Sequence, residues 1–210
     1  MTLPPPPSPP SPWPTGRSFA EKWFPAFITW ARTRGRELTE IASDCAREEL
    51  FNSYAAWHMR DFARGAAPLF WARCEWDHID ITFGVAPARF AAWERAWANQ
   101  QEGELGIVEA KLIYEHTNNA GVQLVCAGDQ LRARLTKYGA RLGTMLALVY
   151  WYSEDGNAPA LANELRTAGL APIAGGFQEV GRVPLLEVWP LTSAGAGRLY
   201  FGLFELDQAP

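Results

Sequence analysis

The chain has 210 residues, of which 48% are hydrophobic and 20% are charged, and its net charge is −4 at pH 7. These values fit one globular domain with a sizeable core and exclude a strongly basic nucleic-acid coat, so any nucleic-acid binding must use a local patch. No apolar run approaches a membrane helix, the N-terminus lacks a signal-peptide pattern and the three cysteines are widely spaced, so we expect a cytoplasmic protein without membrane contact.

The first 16 residues are rich in proline, and we expect an extended tail that lies outside the domain. Such a tail is either a plain flexible leader or a segment that docks into the aromatic groove of a protein partner. Residues 17–210 should form a single α/β domain, with its core at about residues 40–152 and a C-terminal extension over residues 153–210.

Apolar residues at helical spacing predict two helices before the first strand. The first covers residues 18–34, although Pro25 should break or kink it. The second covers residues 43–62 and carries Glu48 close to its apolar stripe. Glu48 is therefore the favoured acidic side chain of this helix, with its neighbour Glu49 as the alternative. Either of them also fits a plain solvated charge.

Two predicted strands carry ionisable residues. Residues 77–84 alternate in polarity and place Asp80 on the polar side, while residues 104–114 place Glu109 and Lys111 on one face of an otherwise apolar strand. If the two strands are neighbours, the two acids converge and the lysine stands one pleat further along. Such a group is costly to hold without a metal or a substrate. It indicates metal-assisted hydrolysis of a phosphodiester, because paired carboxylates suit Mg²⁺ or Mn²⁺.

The pair formed by Asp80 and Glu109-Ala110-Lys111 resembles the signature of the PD-(D/E)xK nuclease superfamily. The resemblance covers roughly residues 40–152 and implies a restriction-endonuclease-like αβββαβ core, with a mixed sheet and flanking helices. It also implies that Asp80, Glu109 and the backbone carbonyl of Ala110 bind Mg²⁺ or Mn²⁺. Lys111 would then assist the attacking water.

Further positions match features that several branches of this superfamily share. A glutamine or basic residue often follows on the next helix, where Gln130 fits, and a glutamate often precedes the sheet, where Glu48 or Glu49 fits. The chain departs from the motif at Ile79, which stands in the place of the proline. It also has a long interval between the two acids, in which residues 87–97 predict an inserted helix that serves either as core packing or as a DNA-facing lid.

A polar loop over residues 115–121 follows the second strand and contains His116, which either lines the site or lies on the surface. The next predicted helix, residues 128–142, has an apolar edge and, beside it, a largely cationic edge. This second edge either follows a nucleic-acid backbone or is a solvated helix face. Its members are Gln130, Arg134, Lys137 and Arg141.

The remaining pattern predicts a buried strand over residues 145–152, a short helix over residues 159–168 that Gly169 ends, and a C-terminal β-hairpin from residues 184–190 and 198–206. No residue of this last third points to a particular chemistry. The ten tryptophans of the chain fit core packing first, although exposed ones would suit stacking on unpaired bases.

These observations predict a Mg²⁺-dependent nuclease, with DNA as the favoured substrate and a homodimer as a reasonable expectation. One alternative is a binding protein of the immunity or inhibitor type, because the chain is small, acidic and rich in aromatic residues. The other is a nuclease-like fold that has lost its activity and serves as an assembly component. Metal binding distinguishes the nuclease from an inhibitor protein, which should ignore the metal.

Overall fold

The computed structural model describes residues 13, 15–44, 48–66, 70–76, 79–85, 106–114, 120–138, 140, 142–152, 158–184 and 195–206. Three helices come first, followed by strands and two further helices. In chain order the elements are α1 (Gly16–Thr33), α2 (Gly35–Asp44), α3 (Glu48–Ala63), β1 (Phe70–Trp76), β2 (Ile79–Val85), β3 (Gly106–Tyr114), α4 (Ala120–Tyr138), β4 (Leu142–Trp151), α5 (Ala158–Thr167), β5 (Leu170–Pro184) and β6 (Ala196–Leu206).

The six strands form one mixed sheet in the order β1-β2-β3-β4-β6-β5. Only β3 and β4 pair in parallel, and α4 connects them, as a parallel pair requires a crossover. The other neighbouring pairs are antiparallel. The predicted α/β class is therefore confirmed, and the predicted central strand is β4, whose residues are buried except at its last position.

Two apolar layers cover the sheet, one on each side. On the side of α1, α2 and α3, the core contains Trp23, Phe27 and Phe51 together with the β3 residues Val108 and Ala110. On the other side, α4 and α5, the latter through Leu165, pack against the alternate residues of β3 and β4, among them Ile107, Ile113 and Met145. Because side chains alternate along a strand, Glu109 and Lys111 belong to the α4 side of β3.

Helix α1 is continuous through Pro25, so of the predicted break or kink the break does not occur. Pro25 is exposed, whereas its neighbours Trp23, Phe24 and Phe27 are buried against the core. Packing of this apolar face offsets the lost backbone hydrogen bond. Thr15 begins the helix with a capping box that it forms with Ser18.

Trp13 lies within the segment predicted as an N-terminal tail and packs against the aromatic core. Its side chain is 8% exposed and stacks on Phe62, with an edge contact to Phe19. Trp13 is therefore part of the hydrophobic core on the side of α1, α2 and α3. Residues 1–12 lie outside the described part of the chain.

Several element boundaries also differ from the predictions. The predicted helix over residues 43–62 is α3, while the preceding helix α2 and the strand β1 were not predicted. Helix α4 begins at Ala120, eight positions before the predicted start at residue 128. Strand β5, which pairs with β6, covers residues 170–184, so residue 184 of the predicted strand 184–190 is the last residue of β5.

The irregular backbone of β5 explains why its strand pattern was missed. Ala174, Gly175 and Gly176 have positive φ, and the register with β6 shifts between Ile173 and Gln178. A bulge of this kind breaks the alternation of apolar and polar residues on which strand prediction depends. The predicted inserted helix, residues 87–97, and the predicted strand residues 185–190 are outside the described residues. None of the helices that the structure describes is long and apolar enough to cross a membrane.

A buried histidine in the aromatic core predicts a pH dependence of stability. Trp23 Nε1 donates a hydrogen bond to His58 Nδ1 at 3.1 Å. Burial lowers the pKa of the His58 imidazole below its ordinary value, and the carboxylate of Asp61 offsets this only in part. The unfolded chain should therefore take up a proton before the folded one does.

We expect the free energy of unfolding to lose a His58-dependent component as the pH falls from about 6.5 through the lower pKa of the folded state. Above that range the component is fully present. Chemical denaturation of the wild type and of His58→Gln between pH 7.5 and 5 checks this, because carboxylate contributions are common to both proteins. An unchanged difference between the two across that range would contradict it.

Candidate active site

The site is built where β2 and β3 lie side by side. The two strands are antiparallel, with Ile81 opposite Val108 and Thr82 opposite Ile107. Extending this register by one residue brings Asp80 opposite Glu109. Directly opposed residues of antiparallel strands share a face of the sheet, so the strand pairing favours the predicted convergence of the two acids.

Beyond the Ile81–Val108 pair, two carboxylates accept backbone hydrogen bonds of β3 in place of a partner strand. The β2–β3 pairs among the described residues end at Ile81 and Val108. The next donors of β3 on this side are the backbone N–H groups of Ala110 and Leu112. The Ala110 N–H donates to Asp80 Oδ2 at 2.7 Å, and the Leu112 N–H donates to Glu48 Oε2 at 2.7 Å. Charged acceptors thus satisfy backbone donors that the ladder leaves open.

The same geometry orients the carbonyl of Ala110. Within a strand, the N–H and C=O groups of one residue point to the same neighbouring side. The Ala110 N–H donates to Asp80 of β2, so the Ala110 carbonyl also points toward the β2 side of β3. Asp80, Glu109 and this carbonyl are hard oxygen donors on neighbouring positions of the two strands, and oxygen is the donor type that Mg²⁺ and Mn²⁺ prefer. Within the described residues, no group of three or more His, Cys, Asp or Glu side chains could hold a metal.

Glu109 is a buried acid with an ionic partner. The residue is 7% exposed, and Arg134 of α4 donates to its Oε2. Helix α4 returns over the face of β3 that carries Glu109 and places Leu131 in the core one turn before Arg134. The guanidinium therefore offsets the cost of burying the carboxylate, and removing either partner would leave an uncompensated charge.

Lys111 has an acidic partner from the opposite helix layer. Its Nζ lies 3.6 Å from Glu48 Oε2, and the two side chains are 33% and 24% exposed. Glu48 is the first residue of α3, where a negative charge interacts favourably with the helix dipole. Of the two candidate helix acids, Glu48 reaches the site, while Glu49 is exposed.

The other predicted site residues belong to α4 or to the segments that flank it in the chain. Gln130 and Lys137 occupy exposed positions of α4 on either side of Arg134. Arg134 pairs with Glu109 within the chain, and its contact with a nucleic-acid backbone stays a prediction. His116 and Arg141 lie outside the described residues.

Replacing Glu48 with alanine should lower the free energy of unfolding by about 1–2 kcal/mol, because the Leu112 N–H loses its acceptor. Glu49→Ala is the matched control, since it removes the same charge from the adjacent, exposed position. We expect the control to remain within about 0.5 kcal/mol of the wild type. Urea denaturation of the three proteins measures the difference, and equal effects of the two substitutions would contradict this role of Glu48.

Comparison with known proteins gives no assignment of family. No family model matches the chain, and neither a curated protein nor a solved structure gives a significant match.

Proposed function

We propose that this protein is a metal-dependent nuclease that hydrolyses phosphodiester bonds, with DNA as its favoured substrate. The observation that carries the proposal is the end of the β2–β3 ladder. There Asp80 binds the backbone of Ala110, between Glu109 and Lys111. Acids, a backbone carbonyl and a lysine on adjoining positions of two paired strands are the groups that this chemistry requires.

The order of elements supports a restriction-endonuclease-like core. Among the described residues from α3 to β4, the elements run helix, three strands, helix, strand, which is the order that the resemblance implies. The site falls on β2 and β3 of this series, and Glu48 falls on its first helix. Strands β5 and β6 then extend the sheet beyond β4, on the side away from the site.

Each residue has a role that follows from its surroundings. Asp80, Glu109 and the Ala110 carbonyl would hold Mg²⁺ or Mn²⁺, which when bound acidifies a water and neutralises phosphoryl charge. The Lys111 ammonium is partly exposed and paired with Glu48, so it is held at this strand and would contact the attacking water. The exposed edge of α4, with Gln130 and Lys137, faces solvent and would contact the substrate backbone.

The test is cleavage of labelled single- and double-stranded DNA and RNA in Mg²⁺, Mn²⁺ or EDTA, using the full chain. We expect cutting that requires the metal and that Asp80→Asn reduces at least about a hundredfold. Asp61→Asn, on an exposed position of α3, is the matched control and should cut like the wild type. Cutting in EDTA, or equal activity of the two variants, would contradict the proposal.

A non-catalytic assembly component is a second candidate, favoured by the ion pairs of the site. Glu109 pairs with Arg134 and Glu48 with Lys111, so these charges are compensated within the chain. A protein of this kind should neither cut any of these substrates nor bind Mn²⁺. It should nevertheless retain the fold, which circular dichroism and thermal unfolding would establish.

A further inference from the structure

Arg134 holds the carboxylate that the proposed function assigns to the metal. Its guanidinium pairs with Glu109 Oε2, and the two side chains are 21% and 9% exposed. Water competes little for a pair that is so well shielded, and the attraction between the charges is correspondingly strong. The protein thus supplies a cation of its own at Glu109.

A divalent ion at Glu109 would place two cations against one carboxylate. Even if the ion used the second carboxylate oxygen, it would stand within a few ångströms of the guanidinium. Like charges at such a distance in a shielded site repel strongly. The guanidinium and a divalent ion therefore compete for Glu109.

Resting on the proposed function, we infer that Arg134 is the counter-ion of Glu109 in the metal-free protein and leaves it when the metal binds. The released guanidinium then contacts a phosphate of the substrate. One side chain compensates the buried carboxylate in the first state and the substrate anion in the second.

The position of Arg134 on α4 suits this exchange. Its side chain retains 21% exposure, so it has an open path to solvent. Gln130 and Lys137 are exposed on the same edge of the helix, and this edge would lie along a bound backbone. A planar guanidinium is well matched to two phosphate oxygens, as it is to a carboxylate.

The test measures Mn²⁺ affinity of EDTA-stripped, full-length protein by titration calorimetry. We expect Arg134→Gln to bind Mn²⁺ at least about tenfold more tightly than the wild type, because the competitor is gone. Arg132→Gln is the charge control: Arg132 is on the same helix but contacts Asp129 and the Ala168 carbonyl. Its affinity should stay within about twofold of the wild type, since these contacts do not involve Glu109.

The rate of cleavage should fall in Arg134→Gln, although this variant should bind Mn²⁺ more tightly. At saturating Mn²⁺ we expect Arg134→Gln to cut at least about tenfold more slowly, because it has lost a phosphate contact. Thermal unfolding adds a readout without substrate: in EDTA this variant should be less stable than the wild type, and Mn²⁺ should stabilise it more. If it does not fold in EDTA, Arg134→Lys, which keeps a cation without the planar pairing, should show an intermediate affinity.

The outcomes separate this inference from the proposed function. Equal Mn²⁺ affinity of wild type and Arg134→Gln, with binding lost in Glu109→Gln, would overturn the exchange and leave the metal site standing. Weaker binding by Arg134→Gln would also overturn it. Absence of Mn²⁺ binding by the wild type and by both Arg134 variants would overturn the metal site, and the exchange with it.

Discussion

Replacing Glu109 with glutamine is expected to lower the single-turnover rate of metal-dependent cleavage by at least about a thousandfold. Glutamine keeps the size of the side chain and an oxygen that can accept from Arg134, but it loses the negative charge that a divalent ion requires. The rate is measured on the nucleic acid that the wild type cuts best, with Mn²⁺ in excess.

Glu21→Gln is the control for this variant. Glu21 lies on α1 and pairs with Arg17 on the protein surface, so its substitution removes the same charge away from the site. The control should cut at the wild-type rate. Retention of more than about a tenth of the rate by Glu109→Gln, with its fold verified, would contradict a metal-binding role, because that loss is only about 1.4 kcal/mol of barrier.

The largest expected effect on stability comes from Gly181→Ala. A Cβ at Gly181 would collide with the Gly35 carbonyl and with Thr39 Oγ1. The Thr39 hydroxyl itself donates to this carbonyl at 2.6 Å. Because much of the obstacle is backbone, α2 would have to move away from β5. We expect a loss of about 3 kcal/mol, which for a chain of this size lowers the midpoint of thermal unfolding by roughly 6–12 °C.

Gly65→Ala is the matched control for the same measurement. Apart from its two chain neighbours, no atom of the residues that the structure describes lies within 4 Å of a Cβ built at Gly65, whose φ is not in the positive range. This substitution should change the free energy of unfolding by less than about 1 kcal/mol, and in the stabilising direction if the unfolded chain loses freedom. Equal midpoints for the two variants would show that α2 and β5 are not in close backbone contact.

Where an element has regular periodicity, the local pattern of apolar and polar residues was sufficient to predict it. The apolar run of β4 and the alternation of β2 and β3 predicted strands near the observed bounds. Gly169, with φ of 76°, follows the end of α5 as expected for a helix stop. Strand β5 escaped prediction because its bulge disrupts the alternation. The second predicted helix and α4 begin at Glu48 and Ala120 rather than at residues 43 and 128, because periodicity indicates a helix more firmly than it indicates the residue at which the helix begins.

The sequence by itself determined which face of each strand carries Asp80, Glu109 and Lys111, because alternation along a strand is a local property. It also determined that one edge of α4 is cationic. Only the tertiary structure decided which groups the charged side chains of the site contact. Arg134 meets Glu109 across 25 residues of chain, and Glu48 meets the Leu112 N–H across 64. Such pairs depend on how α3 and α4 pack on the sheet and on where the β2–β3 ladder ends, and neither is encoded in a short stretch of residues.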